Sequence, residues 1–245
     1  MEFHTLMPGQ DARYQNHHHY IREGWAKEPK ETFKALAEII EMRSEPRSHL
    51  DVGCATGELL SYARSRFPID KSVGWDVFEE LLETGRRLFP TADFARVSVV
   101  DDAVPEGKYD LVTAMGVMSI FSFAQLERFW RNLTAMVEDG GMLVVLSPLN
   151  EFGCDIEVTH RKRRDRVAGH WEQGWSVYSF ETIREIVEEL GWKVTFVPFQ
   201  IGLDLEQADD PVRTWTVATG DNPRQLTNGL KLLINHYFMV VRRAN

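Results

Sequence analysis

The segment Leu50-Asp51-Val52-Gly53-Cys54-Ala55-Thr56-Gly57-Glu58 constrains this chain more than any other stretch of its 245 residues. A short apolar run breaks at glycine, and glycine directly after a strand lets the backbone turn sharply and approach a ligand closely. The helix expected to follow opens with amides that have no partner within it and are free to bond a ligand. Nineteen residues beyond Gly57, the run Val73-Gly74-Trp75 ends in Asp76, where a carboxylate can accept both hydroxyls of a ribose. Each feature alone has a purely structural reading, since tight strand-to-helix turns use glycine for their own sake. Together they point to a nucleotide-like ligand at the ends of two neighbouring parallel strands.

The rest of the chain alternates around that turn. Thr32 to Met42 places Phe33, Leu36, Ile39 and Ile40 on one helical face, and the strand His49 to Val52 follows. Next come a helix from about Glu58 to Arg66, a strand Ser72 to Asp76, a helix Phe78 to Leu88 and a strand through Ala95 to Val100. Tyr109 to Met115 reads as a strand, Phe123 to Val137 as a helix ended by Gly140-Gly141, and Met142 to Ser147 as a buried strand. After an aperiodic stretch, Ser179 is a candidate N-cap for a helix carrying Phe180, Ile183, Ile186, Val187 and Leu190, stopped by Gly191. Trp192 to Val197 and the terminal Ile234 to Val241 complete seven strands. Strands and helices alternating at this spacing predict an α/β fold, a doubly wound sheet with helices on both faces.

Composition narrows the class. The formal charge is −9, with 43% hydrophobic and 27% charged residues, ordinary values for a globular protein. The acidic total argues against broad nucleic-acid binding. No stretch approaches the ~20 apolar residues of a bilayer span, and Met1-Glu2-Phe3-His4 does not open a signal sequence, so the expectation is a cytoplasmic protein without membrane partners. Cys54 and Cys154 are the 2 cysteines, too few for a disulfide framework or a four-thiolate zinc site. Cys54 suits a small buried packing residue. No metal site is expected.

On these motifs the chain resembles the class I S-adenosylmethionine-dependent methyltransferases, over about residues 30–198 plus the last strand. That family's acidic residue followed by Gly-x-Gly-x-Gly is matched by Asp51, Gly53 and Gly57, with Ala55 in place of the middle glycine. The resemblance implies a Rossmann-like sheet whose last strand is antiparallel, with S-adenosyl-L-methionine as cofactor and S-adenosyl-L-homocysteine as product. It implies that Asp76, beside Val77, holds the ribose and that either Asp101 or Asp102 accepts the adenine amino hydrogen, with Cys54 in the turn. Tyr109-Asp110-Leu111-Val112-Thr113-Ala114-Met115-Gly116-Val117-Met118 matches the fourth-strand motif, so Met115, Gly116 and Val117 would lie beside the methionyl part. Charge separates this reading from a dinucleotide enzyme. A pyrophosphate favours a helix N-terminus free of acids, whereas Asp51 and Glu58 flank this turn.

The acceptor is expected to be read outside the core. Residues 1–29 would form an N-terminal arm or lid, and 30–245 the methyltransferase domain, with substrate-side insertions at about 149–178 and 199–233. His160-Arg161-Lys162-Arg163-Arg164-Asp165-Arg166 holds five cations in seven residues, and guanidinium groups grip carboxylate or phosphate bidentately. Arg161 and Arg163, with Trp171, Trp175 and Tyr178, are therefore candidate substrate contacts, and Trp215 could stack on a ring. The opposite reading, a solvated face and the insertion's own small core, stays open. A weaker likeness, in Gly116 to Phe121, Trp171 to Ser179 and Thr227-Asn228-Gly229, is to methyltransferases of bacterial surface glycans.

No motif for exocyclic base amines, pyrimidine carbon or metal-assisted catechol chemistry is present. The expected reaction is methyl transfer to an oxygen of a small anionic or sugar-like acceptor. The alternatives are N-methylation of a small amine or amino sugar, and a noncatalytic S-adenosylmethionine-binding module. No catalytic base stands out; the candidates are His17, His18, His19 and His170. The expected assembly is a monomer or homodimer.

Overall fold

The computed structural model describes residues 20–21, 24–25, 27–163 and 171–244. Helix α1 (Glu31–Glu41) turns Phe33, Leu36, Ile39 and Ile40 inward, the spacing of a stripe on one helical face. It leads into β1 (Ser48–Val52), α2 (Glu58–Arg66), β2 (Lys71–Asp76), α3 (Glu79–Leu88) and β3 (Asp93–Arg96). Strand β4 (Tyr109–Met115), a 3₁₀ turn at Met118–Ile120, α4 (Phe123–Ala135) and β5 (Val137–Asn150) follow. Beyond them lie the short β6 (Thr159–His160), β7 (Glu172–Gln173) and β8 (Tyr178–Ser179), then α5 (Phe180–Glu189) and β9 (Trp192–Phe199). The chain closes with β10 (Trp215–Val217), β11 (Gln225–Thr227), β12 (Leu233–Ile234) and β13 (His236–Arg243).

The main sheet runs in the order β3-β2-β1-β4-β5-β13-β9, with β8 appended to β5. Strands β1 to β5 are parallel, and β13 inserts antiparallel between β5 and β9. This is the expected seven-stranded Rossmann-like sheet with its last strand reversed. Helices α1 and α2 cover one face through Leu36, Ile40 and Leu59. Helices α4 and α5 cover the other through Phe129, Trp130, Ile183 and Val187. Ser179 caps α5 as expected, its Oγ accepting from the Thr182 amide.

Four elements differ from the periodicity, each for a physical reason. Strand β3 ends at Arg96, so Val97 to Val100 is not a strand. The run is apolar because Val99 and Val100 are buried, but the Asn132 amide of α4 donates to the Val99 carbonyl at 2.7 Å and Arg128 to that of Val100 at 3.1 Å. Helix side chains thus replace the sheet ladder. Helix α4 stops at Ala135, before the glycines. Val137 already pairs with Tyr109, and the register slips before Leu111 meets Met142, so Gly140-Gly141 forms a bulge inside β5. Gly140 adopts φ +80°, and a Cβ on Gly141 would lie 3.0 Å from three carbonyl oxygens.

The aperiodic stretch after β5 carries the two-residue hairpin β6-β7, too short to show alternation. The polar stretch before the last strand builds a three-stranded sheet, β10-β11-β12. Ile234 belongs to that small sheet, not to the last strand. The chain crosses to the main sheet at Asn235, whose carbonyl accepts from the Leu149 amide at 3.1 Å.

Candidate functional site

Strands β1, β2, β4 and β5 end along one edge of the sheet. Antiparallel β13 begins there, because His236 pairs with Pro148 near the end of β5. A cavity of about 390 Å³ opens at this edge, inside the roughly 300–1,000 Å³ range of small-ligand sites. Among the described residues its wall holds two formally charged side chains, Asp76 and Arg213.

One half of the wall grows from β1, β2 and β3. The glycine turn, which follows β1, is tied to β2: the Gly53 and Cys54 amides both donate to the Trp75 carbonyl, at 2.7 and 3.0 Å. Gly53 takes φ +74°, and a Cβ there would meet Val117 Cγ2 at 2.3 Å, so the turns after β1 and β4 touch. Ala55, where the resemblance expects glycine, also takes a positive φ of 48°. Asp76 braces the site: one carboxylate oxygen accepts from the Ala55 amide at 2.9 Å and the other from the Phe78 amide at 3.1 Å. Val77, Phe78, Leu81, Val97 and Val99 complete an apolar slot beside it.

Described residues that precede α1 contact this half. Tyr20 contributes to the wall, Trp25 Nε1 donates to Thr56 Oγ1 at 3.0 Å, and Lys30 pairs with Glu58 at the start of α2. Most of the arm, including His17, His18 and His19, lies outside the described residues.

Asp51 differs from expectation. Its carboxyl is buried and absent from the cavity wall. Thr113 Oγ1 donates to it at 2.7 Å, and His49 Nε2 lies 2.7 Å from the same hydroxyl. Burial pushes Asp51 up to about 7, with nearby Asp76 adding in the same direction, and pushes His49 down to about 3. Cys54 and Gly57 are also packing positions. The Cys54 thiol, raised well above its ordinary pKa by burial, packs with Leu60, Leu82 and Ala92. A Cβ on Gly57 would sit 2.6 Å from the Phe94 ring.

Asp101 and Asp102 are both exposed and neither reaches the wall. Asp102 pairs with Arg128 at 3.0 Å, while the Asp101 carbonyl accepts from Asn132. Met115, Gly116 and Val117 do line the cavity.

The other half is built from β4, β5, β13 and the two insertions. Ser119, Ile120 and Phe121 follow β4, and Trp175 lies alongside because the Ser176 amide donates to the Ser119 carbonyl at 2.9 Å. Trp175 has φ +69°, a strained value for a non-glycine residue, and its indole Nε1 is buried with no hydrogen-bond partner. Opposite are Pro148, Arg213, Thr214 and His236. Burial pushes His236 down to about 4, so its ring is neutral at physiological pH, and its Nδ1 has no partner.

The remaining substrate candidates are placed elsewhere. Tyr178 is fully buried, its hydroxyl donating to the Phe121 carbonyl at 2.8 Å, so it supports the wall from behind. Trp171 is largely exposed and lies under the Arg161 guanidinium at 5.2 Å. Arg161 and Arg163 do not line the cavity, and Trp215 belongs to β10 outside it. Among the described residues of the basic run, Lys162 pairs with Asp210 at 3.0 Å. Asp210 holds the turn that delivers Arg213: its carboxylate accepts from the Val212 amide and its carbonyl from the Arg213 amide, both at 3.1 Å. His170 lies outside the described residues. Arg213 and His236 had no sequence signal, because the strand register and turn that carry them to the cavity leave no local pattern.

Among the described residues no group of three or more His, Cys, Asp or Glu side chains is placed to hold a metal ion, and no helix is long and apolar enough to cross a membrane.

A family model described as a methyltransferase domain matches residues 17–196. No curated protein matches the chain. Among solved structures the chain is similar to an S-adenosylmethionine-dependent methyltransferase from Clostridium acetobutylicum, 13% identical with a TM-score of 0.58, over 93% of this chain and 97% of that one. It is similar to CalS10, an amino pentose methyltransferase from Micromonospora echinaspora solved with SAM bound, 15% identical with a TM-score of 0.59, over 96% and 100% of the two chains. It is also similar to DesVI from Streptomyces venezuelae, 16% identical with a TM-score of 0.54, over 86% and 90%. At these identities the likeness is one of fold.

Proposed function

The chain belongs to the methyltransferase-domain family, and from that membership we propose that it transfers a methyl group from S-adenosylmethionine to a nitrogen of a small-molecule acceptor, a small amine or amino sugar. The cavity carries this reading. Its carboxylate, Asp76, stands at the end of β2 beside the glycine turn and an apolar slot, a combination suited to ribose hydroxyls and a flat adenine. When bound, S-adenosylmethionine supplies an electrophilic methyl group on a positively charged sulfur. In this reading Asp76 accepts from the ribose, Gly53 and Ala55 bring the backbone turn close, Val77, Leu81, Val97 and Val99 flank the base, and Met115, Gly116 and Val117 border the methionyl part. Asp51 acts from beneath the turn, where its buried carboxyl accepts from Thr113.

Nitrogen is favoured over oxygen by the acceptor half. A hydroxyl must lose its proton to become a strong nucleophile, which calls for a positioned base. The described wall has no carboxylate there, only the neutral imidazole of His236. A neutral amine needs no base, and alignment supplies much of the acceleration. CalS10, described as an amino pentose methyltransferase, supports an amino sugar as the class of acceptor. Calorimetric titration with S-adenosylmethionine and with NAD tests the cofactor. We expect binding of the former only; tight NAD binding with no response to S-adenosylmethionine would sink the proposal. Formation of S-adenosylhomocysteine with a panel of amines and alcohols tests the acceptor atom, and turnover confined to alcohols would return the reading to oxygen.

A further inference from the structure

The acceptor half of the cavity holds two nitrogens that the fold itself does not satisfy. Trp175 Nε1 and His236 Nδ1 are buried, and neither has a hydrogen-bond partner among the described residues. Both side chains line the cavity. A buried polar atom left unpaired forfeits its hydration without return, and folded proteins leave few of them so. Two on one cavity wall are explained by a ligand that completes them. Arg213 of the same wall already has an interaction within the protein, so the nitrogens, and not the cation, are what a ligand would satisfy.

Both residues are held in place by the backbone around them. Trp175 takes φ +69°, a strained value that persists only where the surrounding structure imposes it, and such strain collects at ligand clamps. Here its neighbours impose it. The Gly174 amide donates to the Val158 carbonyl at 3.1 Å, the Ser176 amide to the Ser119 carbonyl at 2.9 Å, and Ile156 and Val177 exchange both amide bonds at 2.8 Å. The chain is thus anchored on either side of Trp175, and the kink falls at the one residue of this stretch that lines the cavity. His236 is the first residue of β13, held between Pro148 of β5 and Phe199 of β9. Its neutral ring offers one N–H and one lone pair, whereas an indole N–H only donates.

We propose that Trp175 and His236 select an acceptor that carries a hydroxyl as well as an amine, with Trp175 Nε1 donating to the hydroxyl oxygen and His236 Nδ1 accepting from an amine N–H. The inference rests on the function proposed above and names the residues that read its substrate, an amino alcohol of the amino-sugar kind. One neutral N–H matches a hydroxyl oxygen; it does not offset the desolvation of an oxyanion. His236 accepts in the tautomer that carries its proton on Nε2. A hydrogen bond through one amine N–H turns the nitrogen's lone pair away from the imidazole. That lone pair forms the bond to the methyl carbon as the carbon–sulfur bond breaks, its electron pair going to sulfur. The product is a methylated ammonium and a neutral thioether, and no proton has to move in that step. Trp175 holds the acceptor by its hydroxyl and so fixes the direction in which the amine points.

The test uses the full chain saturated with S-adenosylhomocysteine, titrated calorimetrically with the positional isomers of aminocyclohexanol, with cyclohexylamine and with cyclohexanol. These probes share one ring and differ in their polar groups. We expect at least one aminocyclohexanol to bind about tenfold more tightly than either cyclohexylamine or cyclohexanol. Trp175→Phe should remove the advantage over cyclohexylamine and leave cyclohexylamine itself unaffected. His236→Phe should remove the advantage over cyclohexanol and leave cyclohexanol unaffected. Both variants should keep the parent affinity for S-adenosylhomocysteine, and Trp171→Phe, at an exposed indole outside the cavity, should keep both advantages. With S-adenosylhomocysteine bound normally, the subsite alone is overturned by the lack of any advantage, absent binding of every probe included, by an advantage that survives either cavity substitution, or by equal weakening of all probes, which a merely structural role would produce. Failure of S-adenosylhomocysteine to bind a folded protein would instead overturn the proposed function, and the subsite with it.

Discussion

Asp76 has a structural and a ligand-facing part in the same carboxylate. Its oxygens accept from the Ala55 and Phe78 amides, which fixes both the glycine turn and the entry to α3, while the side chain also lines the cavity. Asp76→Ala should weaken S-adenosylmethionine more than tenfold, about 1.4 kcal/mol. An unchanged dissociation constant in a folded variant would remove Asp76 from the site. Asp51 makes a different prediction. Its pKa is raised from 3.8 to about 7, so between those values the folded protein keeps a proton that the unfolded chain has lost. Its contribution to stability is therefore greatest below about pH 4, falls as pH rises, and levels off above about 7. Asn in its place cannot ionise, so the stability of Asp51→Asn relative to the parent should rise by about 1–3 kcal/mol between pH 4.5 and 7.5 in denaturant titrations. Buried His49 and His236, pushed down to about 3 and about 4, lose stability in the opposite sense, as pH falls, and are present in both proteins. A difference that stays flat with pH would show that Asp51 ionises normally in the fold.

At the level of elements, the strands that were legible are those whose burial and sequence run coincide. Tyr109 to Met115 is mostly apolar, bounded, and paired with β1 and β5 from Leu111 onward, so pattern and structure agree. Val97 to Val100 is equally apolar, yet its carbonyls are taken by Asn132 and Arg128, a partnership that hydrophobicity does not encode. The basic run shows the same limit from the charged side. Five cations in seven residues suggest a grip on an anion, but which cation works depends on what faces it. Here Lys162 meets Asp210, both side chains being mostly buried at 26% and 20% exposure. Lys162→Ala should therefore loosen the turn of Arg213 at a stability cost of about 1 kcal/mol in denaturant titrations, with S-adenosylhomocysteine binding intact. Arg163→Gln should change neither quantity. Equal effects of the two substitutions would mean that the run acts only through its total charge.

Across the whole molecule the cavity divides into a half that the sequence announced and a half that it did not. Gly53, Asp76 and Val117 lie at strand ends or within two residues of them, so local spacing located them. Arg213 and His236 reach the same space only through a long excursion and the antiparallel insertion of β13, which depend on tertiary pairing. The consequence is thermodynamic: a ligand here touches segments that are distant in the chain, from Tyr20 through the turns after β1 and β4 to the start of β13. Binding to the folded state alone stabilises it by mass action, about 2.7 kcal/mol when the ligand is at a hundred times its dissociation constant. For a chain of this size that corresponds to a rise of about 5–10 °C in Tm. S-adenosylhomocysteine should produce that rise in the parent protein and a clearly smaller one in Asp76→Ala at the same ligand concentration. NAD should produce none. Because Arg213 lies outside the proposed cofactor half, Arg213→Gln should keep the full shift with S-adenosylhomocysteine. Loss of the shift in that variant would show that the two halves do not bind independently, and the division of the cavity between cofactor and acceptor would have to be redrawn.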